Sequence, residues 1–377
     1  MRATVLTDRA LTRHAGRFVW LSIDTENEKN AAFLEAYPWE AVPTFEVIDP
    51  ETRKVVYRWL GSVNAKQLVQ RFAEAERAMK KASGSDPDAV YARAARLDAE
   101  GKPSEAAAAY EEALRAAGAD WSARGRAAEG LVLALQQSEQ GEACSRRALE
   151  VGPTLPKGIS RANVAATGLS CAIDADEKAA WRLTALASHE KAVREALTFE
   201  GLLSDDRAGL RSALIDARDD QGDAAGTKAA ALDLLAFLDE DAKVARSPEA
   251  RAALDGYRVS AALAADDPAR ALAPLQASER ELPSDYNPPA RLAIVLRELG
   301  RYDEALAASS RALDKVYGPR KLNVLDVRAA IFQKAGDTAS AKATLEQALT
   351  FASTLPASQR PKGMVSRIEK RLAELKK

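Results

Sequence analysis

Two periodicities divide the chain. Val19, Leu21 and Ile23 alternate with Trp20 and Ser22 ahead of Asp24, which predicts a strand closed by a turn. Residues 29–37 predict a short helix, residues 44–48 a second strand, residues 49–53 a turn, and residues 54–59 a third strand. Pro43 stands at the entrance of the second strand, because proline lacks an N–H donor and is confined to strand starts and edges. Gly61 permits a bulge or sharp exit. From Asn64, an N-cap, the period becomes helical: Leu68, Val69, Phe72, Ala75, Ala78 and Met79 make one apolar face. Residues 1–14 read as a helix with Val5, Leu6 and Leu11 as its apolar positions.

Beyond the polar stretch of residues 80–87, alternation disappears and alanine, leucine and arginine dominate, so Ser83-Gly84-Ser85 is the expected domain boundary. Internal repetition explains this helical part. Aligning GKPSEAAAAYEEAL, GRYDEALAASSRAL and GDTASAKATLEQAL places Gly101, Gly300 and Gly336 in register, with Ala106, Ala305 and Ala341 five residues later. A fourth stretch joins through Asp266, Ala271, Leu275 and Pro283, so units begin near Ala252, Tyr286 and Leu322, 34 and 36 residues apart. Between Ser122 and Asp241 the repeat signal is weak: residues 121–137 and 139–150 read as a degenerate pair, and the register is lost over 159–201, although the residues still read as helices.

Both halves resemble known families. A period near 34 residues, with Ala-x-x-x-aromatic at Ala106 and Tyr110, resembles the tetratricopeptide repeat. Leu292, Ala293 and Leu296, Ala94 and Leu97, and Ala329 and Phe332 fill its first-helix packing positions. Ser309 and Leu345 depart from the aromatic position. The runs FVWLSIDTE, VPTF and RWLGSVNAKQLVQRF resemble the second half of a thioredoxin fold. That resemblance implies a cis Pro43 and a peptide-contacting edge at Val42, Pro43 and Thr44. The family's Cys-x-x-Cys segment has no counterpart, so the expectation is a truncated chain or a late start codon, over a natural fragment using the fold without its chemistry. The expected architecture is a partial thioredoxin-like α/β module over 1–82 followed by an all-α helical-repeat solenoid over 83–377. Its clearest repeats are 87–120, 252–285, 286–321 and 322–355.

The chemistry-bearing residues are few. Cys144 and Cys171 are the only cysteines and lie far from the thioredoxin-like stretch. They read either as small buried residues or as a disulfide between neighbouring helices, the latter favouring an oxidising compartment such as a periplasm over a cytoplasm. His14 and His189 are the only histidines, and no metal-ligand spacing occurs. Charges balance, 54 Lys plus Arg against 55 Asp plus Glu, which argues against a nucleic-acid partner. No apolar run suffices for a bilayer span. Phosphate loops and nucleophile elbows are missing, so no catalytic residue, metal or cofactor is expected.

The favoured function is a scaffold that binds a protein or peptide partner through a repeat groove and the edge beside Pro43. The alternative is a thiol-disulfide oxidoreductase whose Cys-x-x-Cys lies upstream of Met1, with the repeats recruiting substrates. Inner-face positions are expected at Asp88, Tyr91 and Ala95, at Asn287, Ala290, Arg291 and Ile294, and at Asn323, Asp326, Val327 and Ala330. This set lacks the Lys, Asn and Arg of a carboxylate clamp, so selective binding of acidic C-terminal peptides is not expected.

Overall fold

The computed structural model describes residues 5–6, 8–39, 42–61, 63–80 and 86–375. The chain divides into two compact units, Met1–Val19 with Tyr37–Ala230, and Trp20–Ala36 with Ala231–Lys377. The 1–82 stretch expected as one module is thus shared between the units. The boundary expected at Ser83-Gly84-Ser85 lies outside the described residues.

Of the helix expected over residues 1–14, part lies outside the described residues, and the rest includes a 3-10 turn, Arg9–His14, capped by the Asp8 carboxylate, which accepts from Ala10 N–H at 2.8 Å. Val5 and Leu11 are buried, but Leu6 is exposed. The strand expected at Val19, Leu21 and Ile23 does not form. Residues 19–24 are irregular, Val19 is 88% and Leu21 68% exposed, and the chain joins the second unit from Trp20. Alternation specifies a strand only where one face finds cover and a neighbouring strand supplies hydrogen bonds. Asn27 then caps a 3-10 turn, Glu28–Asn30, which leads into α1 (Ala31–Ala36).

Back in the first unit, the Val42–Pro43 peptide is cis, and β1 (Thr44–Ile48) pairs antiparallel with β2 (Val55–Leu60). Phe45 lies opposite Trp59 and Val47 opposite Tyr57, with a register irregularity at Ile48. The turn is closed by Asp49, whose carboxylate accepts from Glu51 N–H and from the Thr52 hydroxyl. These two strands are the only sheet among the described residues, so the thioredoxin-like sheet expected from the sequence is not reproduced. A capping box opens α2 (Ala65–Lys80): Gln67 N–H donates to Asn64 Oδ1 at 2.9 Å, and Asn64 N–H to Gln67 Oε1 at 2.8 Å. Leu68, Phe72 and Ala75 on α2 share one core with Tyr57, Trp59 and Tyr91.

Helices then follow in pairs. The first unit holds α3 (Pro87–Ala99) with α4 (Pro103–Ala116), α5 (Arg124–Gln137) with α6 (Gly141–Val151), α7 (Ile159–Ile173) with α8 (Arg182–Ala196), then α9 (Ser204–Asp220) and the start of α10 (Ala224–Val244). The second unit takes the rest of α10. It continues through α11 (Pro248–Ala252), α12 (Asp255–Ala264), α13 (Leu272–Glu281), α14 (Asn287–Glu298), α15 (Tyr302–Leu313), α16 (Arg320–Lys334), α17 (Thr338–Thr354) and α18 (Lys362–Leu375). First helices begin at Pro87, Arg124, Ile159, Ser204, Asp255, Asn287 and Arg320, in steps of 37, 35, 45, 51, 32 and 33 residues.

One turn recurs between helices. Gly101, Glu139, Gly222, Asp266, Gly300 and Gly336 all have positive φ, between 57° and 84°. In each case the next residue's N–H reaches back to the carbonyl five positions earlier, as in Lys102 to Leu97, Gln140 to Leu135 and Asp337 to Phe332, each at 2.9 Å. That is the Schellman closure of a helix C-terminus. Where the glycine is replaced, by Glu139 and by Asp266, the backbone keeps the turn although a Cβ disfavours it. Small residues let the paired helices approach: Ala94, Ala106 and Ala113 in the first unit, and Ala329, Ala341 and Ala348 in the second, are fully buried.

Candidate functional site

The inner face of the first pair is already filled by the chain itself. Across α3 lies β2: the Tyr91 hydroxyl donates to Arg58 O at 3.2 Å, and the Tyr57 and Tyr91 rings sit 5.4 Å apart. Asp88 accepts from Trp121 Nε1 at 2.7 Å, and Ala95 is fully buried. Arg58 Nη1 reaches Asp98 at 3.0 Å, with Glu46 beside its Nε. Burial raises the Glu46 carboxyl pKa, and Arg58 opposes that rise. Of three positions expected to face a partner, Tyr91 therefore anchors the hairpin, Asp88 holds Trp121, and Ala95 is buried.

Beneath the hairpin, Tyr57 hydrogen-bonds Glu74, whose other oxygen accepts from Gln70 Nε2 at 2.8 Å, while Arg71 Nη1 meets Glu74 at 3.0 Å. Burial, and then the neighbouring Tyr91 and Glu74, push the Tyr57 hydroxyl pKa far up, so it stays a donor. Arg71 is 4% exposed. Burial works against its charge, but Tyr57, Glu74 and Glu129 together hold its pKa above the usual value.

From Glu129 the polar character continues across the first helices. Arg126 Nη1 reaches Glu129 at 2.6 Å, Asn163 Nδ2 on α7 donates to Glu129 at 3.3 Å, and Gln136 Nε2 on α5 donates to Ser170 Oγ at 2.9 Å. Leu133 and Thr167 are half-buried on the same two helices. At the start of α9, Asp206 accepts from Leu203 N–H at 2.9 Å. Burial lifts its carboxyl to about 6 against that hydrogen bond, with Asp205 and Glu129 adding to the rise. Glu129, Gln136, Asn163, Thr167 and Ser170 are thus amide, hydroxyl and carboxylate groups on one helical face. Neutral amides and hydroxyls both donate and accept, which suits the N–H and C=O groups of a peptide backbone better than a charged terminus.

In the second unit, Arg291 Nη1 points to Ala252 O at 3.5 Å, and Asp326 is held by Arg371, with Arg367 at 3.3 Å, both from α18. Asn323 is exposed, and Ala290, Ile294, Val327 and Ala330 are half-buried.

Val42 and Pro43 are exposed ahead of Thr44, the first residue of β1. Cys144 on α6 and Cys171 on α7 are joined in the structure, with Cα atoms 6.2 Å apart, and both are buried. The connection between those helices is irregular, a 3-10 turn at Gly152–Thr154 followed by residues 155–158. Next to this link, Ser145 Oγ lies 2.9 Å from His189 Nε2, and both are fully buried. Burial lowers the His189 pKa to about 4. No carboxylate orients its Nδ1, so the pair is not a nucleophile with a relay. Sequence reasoning missed the Arg126–Glu129–Asn163 ladder, because two charged residues three apart on a helix look like any solvated face.

Among the described residues no cluster suited to a metal ion occurs, and no helix is long and apolar enough to cross a membrane. Residues 286–354 match the tetratricopeptide repeat family. No curated protein sequence matches the chain. A tetratricopeptide repeat protein from Parabacteroides merdae is similar in structure, with TM-score 0.50 and 10% identity, over 78% of this chain and all of that one. PilF of Pseudomonas aeruginosa is also similar, with TM-score 0.37 and 12% identity, over 66% of this chain and 97% of that one. The helical region is therefore a tetratricopeptide-type solenoid, and the first likeness is one of fold alone.

Proposed function

We propose that the chain is a protein-binding scaffold whose partner lies as an extended segment across the first-helix face of α5 and α7. The observation that carries this reading is two polar contacts between α5 and α7, Glu129 with Asn163 and Gln136 with Ser170, which set side-chain donors and acceptors across adjacent helices. A peptide needs such groups to replace the water it gives up on its backbone. The repeat match supports the same reading, since stacked helical pairs offer long surfaces for protein partners.

A second contact belongs to the proposal: the edge beginning at Val42, Pro43 and Thr44, where strand addition to β1 would extend the hairpin. The order of hairpin, Gly61 and α2 supports a thioredoxin-like origin for this module, used here for binding, since no cysteine lies in it. The chain is accordingly expected not to accelerate insulin reduction by dithiothreitol, because a thiolate nucleophile is lacking there. The Cys144–Cys171 link is proposed to be a lasting disulfide, a reading that favours an oxidising compartment.

Selection of random peptides on the full chain tests the binding face. Peptides so selected are expected to lose at least tenfold in affinity for Asn163→Arg and for Gln136→Arg, and to keep it for Leu183→Arg, an exposed position on α8. Peptides that ignore the first two substitutions and lose the third would overturn the proposal.

A further inference from the structure

The stretch from the turn at Asp24 into the short helix α1 makes contacts that the sequence pattern does not predict. Residues 24–31 dock in the second unit against two interhelical loops far away in sequence. Gln359, only 6% exposed, donates its one amide nitrogen to two main-chain carbonyls, Thr25 O at 2.9 Å and Asn27 O at 3.0 Å. Arg320 Nε meets Glu26 Oε1 at 2.7 Å, and the Tyr317 hydroxyl donates to Asp24 Oδ2 at 2.6 Å. Ser358 Oγ donates to Ala31 O at 3.1 Å. Between these contacts, Gly318 has a φ of +60°, and any Cβ there would run into the Glu26 backbone, with the carbonyl carbon 3.0 Å away. Glycine serves both needs at this position.

The docked segment also folds on itself. Asp24 Oδ1 accepts from Glu26 N–H at 3.0 Å, Asn27 Oδ1 from Lys29 N–H at 3.1 Å, and Asn30 Nδ2 donates to Asp24 O at 2.8 Å. It is an acidic turn leading into a short helix, gripped through three carbonyls and two carboxylates. Within it only Leu34 is buried. Each such hydrogen bond makes a modest net contribution, because water replaces it on release. A segment held by a few such bonds exchanges readily.

We infer that Tyr317, Gly318, Arg320 and Gln359 form a recognition site for an acidic Asp-x-Glu-Asn turn followed by a helix, and that residues 24–36 occupy it as a tethered ligand. An external protein segment of the same chemistry competes with the tethered one. This site is independent of the α5 and α7 face and stands or falls separately from it.

The test uses the full chain and a fluorescent peptide of residues 22–36. The unaltered chain is expected to bind the peptide weakly, and a chain carrying Asp24→Lys with Glu26→Lys at least tenfold more tightly, since its own segment no longer fits. Adding Arg320→Glu or Gln359→Ala to that variant is expected to abolish binding, with helical circular dichroism unchanged. No gain in the double variant, or binding that survives Arg320→Glu and Gln359→Ala, overturns the inference. Should the double variant lose its helical signal, hydrogen exchange on the unaltered chain decides. Amides of residues 25–31 exchange faster when excess peptide displaces them, and an unchanged rate overturns the inference.

Discussion

Residues 286–354 and residues 124–196 build the same helical pairs from different materials. The first stretch packs through alanine at Ala293, Ala305, Ala308 and Ala312 and turns at Gly300 and Gly336. The second uses glycine at the contacts: a Cβ at Gly130 would lie 2.7 Å from Tyr110 Cε2, and one at Gly168 2.6 Å from Ala148 Cβ. It makes one of its turns at Glu139 and adds the Cys144–Cys171 link and the buried Ser145–His189 pair. Backbone geometry is kept where the residue signature is not. The region that departs from the repeat signature is also the one that carries the polar first-helix face.

Four perturbations sharpen this contrast, the largest effect first. The proposed disulfide closes a loop of 27 residues, so its reduction is expected to lower unfolding free energy by about 3.5 kcal/mol in the chain-entropy description. Thiol titration of unreduced, denatured protein should find no free cysteine, and two free thiols would remove the effect altogether.

Acid comes next. Burial depresses the His189 pKa from 6.5 to about 4, so its contribution to stability is whole above pH 6.5 and is lost as pH falls through the folded value near 4. The loss should approach about 3 kcal/mol. Melting temperature against pH should fall less steeply over that window in His189→Asn, and equal slopes would show that His189 is not responsible.

Third, Gly168→Ala should cost about 2 kcal/mol by overpacking against Ala148 and His189. Urea midpoints measure this, and a neutral result would show that the α6–α8 contact has slack. Smallest are the turn substitutions, which should differ in sign. Glu139→Gly relieves a left-handed residue and should stabilise by about 1 kcal/mol, whereas Gly300→Ala imposes one and should cost about as much. Equal signs would mean that the two turns are not equivalent.

Much of this organisation was legible in the sequence, for reasons visible at single residues. Gly101, Gly300 and Gly336 announced their turns because glycine is the residue that a left-handed position selects. The helix from Asn64, both strands of the hairpin and the pairs over 286–354 follow from local signals that tertiary contacts reinforce. Glu139 weakened the repeat signal at the α5–α6 turn, although the helix pair was legible, because nothing in a glutamate signals positive φ. The long connection of residues 174–181 broke the register after it. Val19, Leu21 and Ile23 misled in the opposite direction: their alternation is real, but the chain leaves the first unit beside them and no strand pairs with it. Of the candidate face, Glu129 and Asn163 could not be paired in advance, since their contact depends on how α5 and α7 stack. Nor could the covering of Tyr91 by the hairpin, or the bond from Trp121 to Asp88, be foreseen from repeat register.

The scaffold reading is tested most directly by a photo-crosslinking side chain placed singly at Thr167 on α7 and at Leu183 on α8, in the full chain inside its own cells. Thr167 is half-buried on the proposed binding face, and Leu183 is 68% exposed on a second helix. A discrete protein adduct is expected from position 167 and none from position 183, with the adduct lost on adding Asn163→Arg. An adduct from position 183 alone, or one from position 167 that persists with Asn163→Arg, would contradict a partner-binding face on α5 and α7.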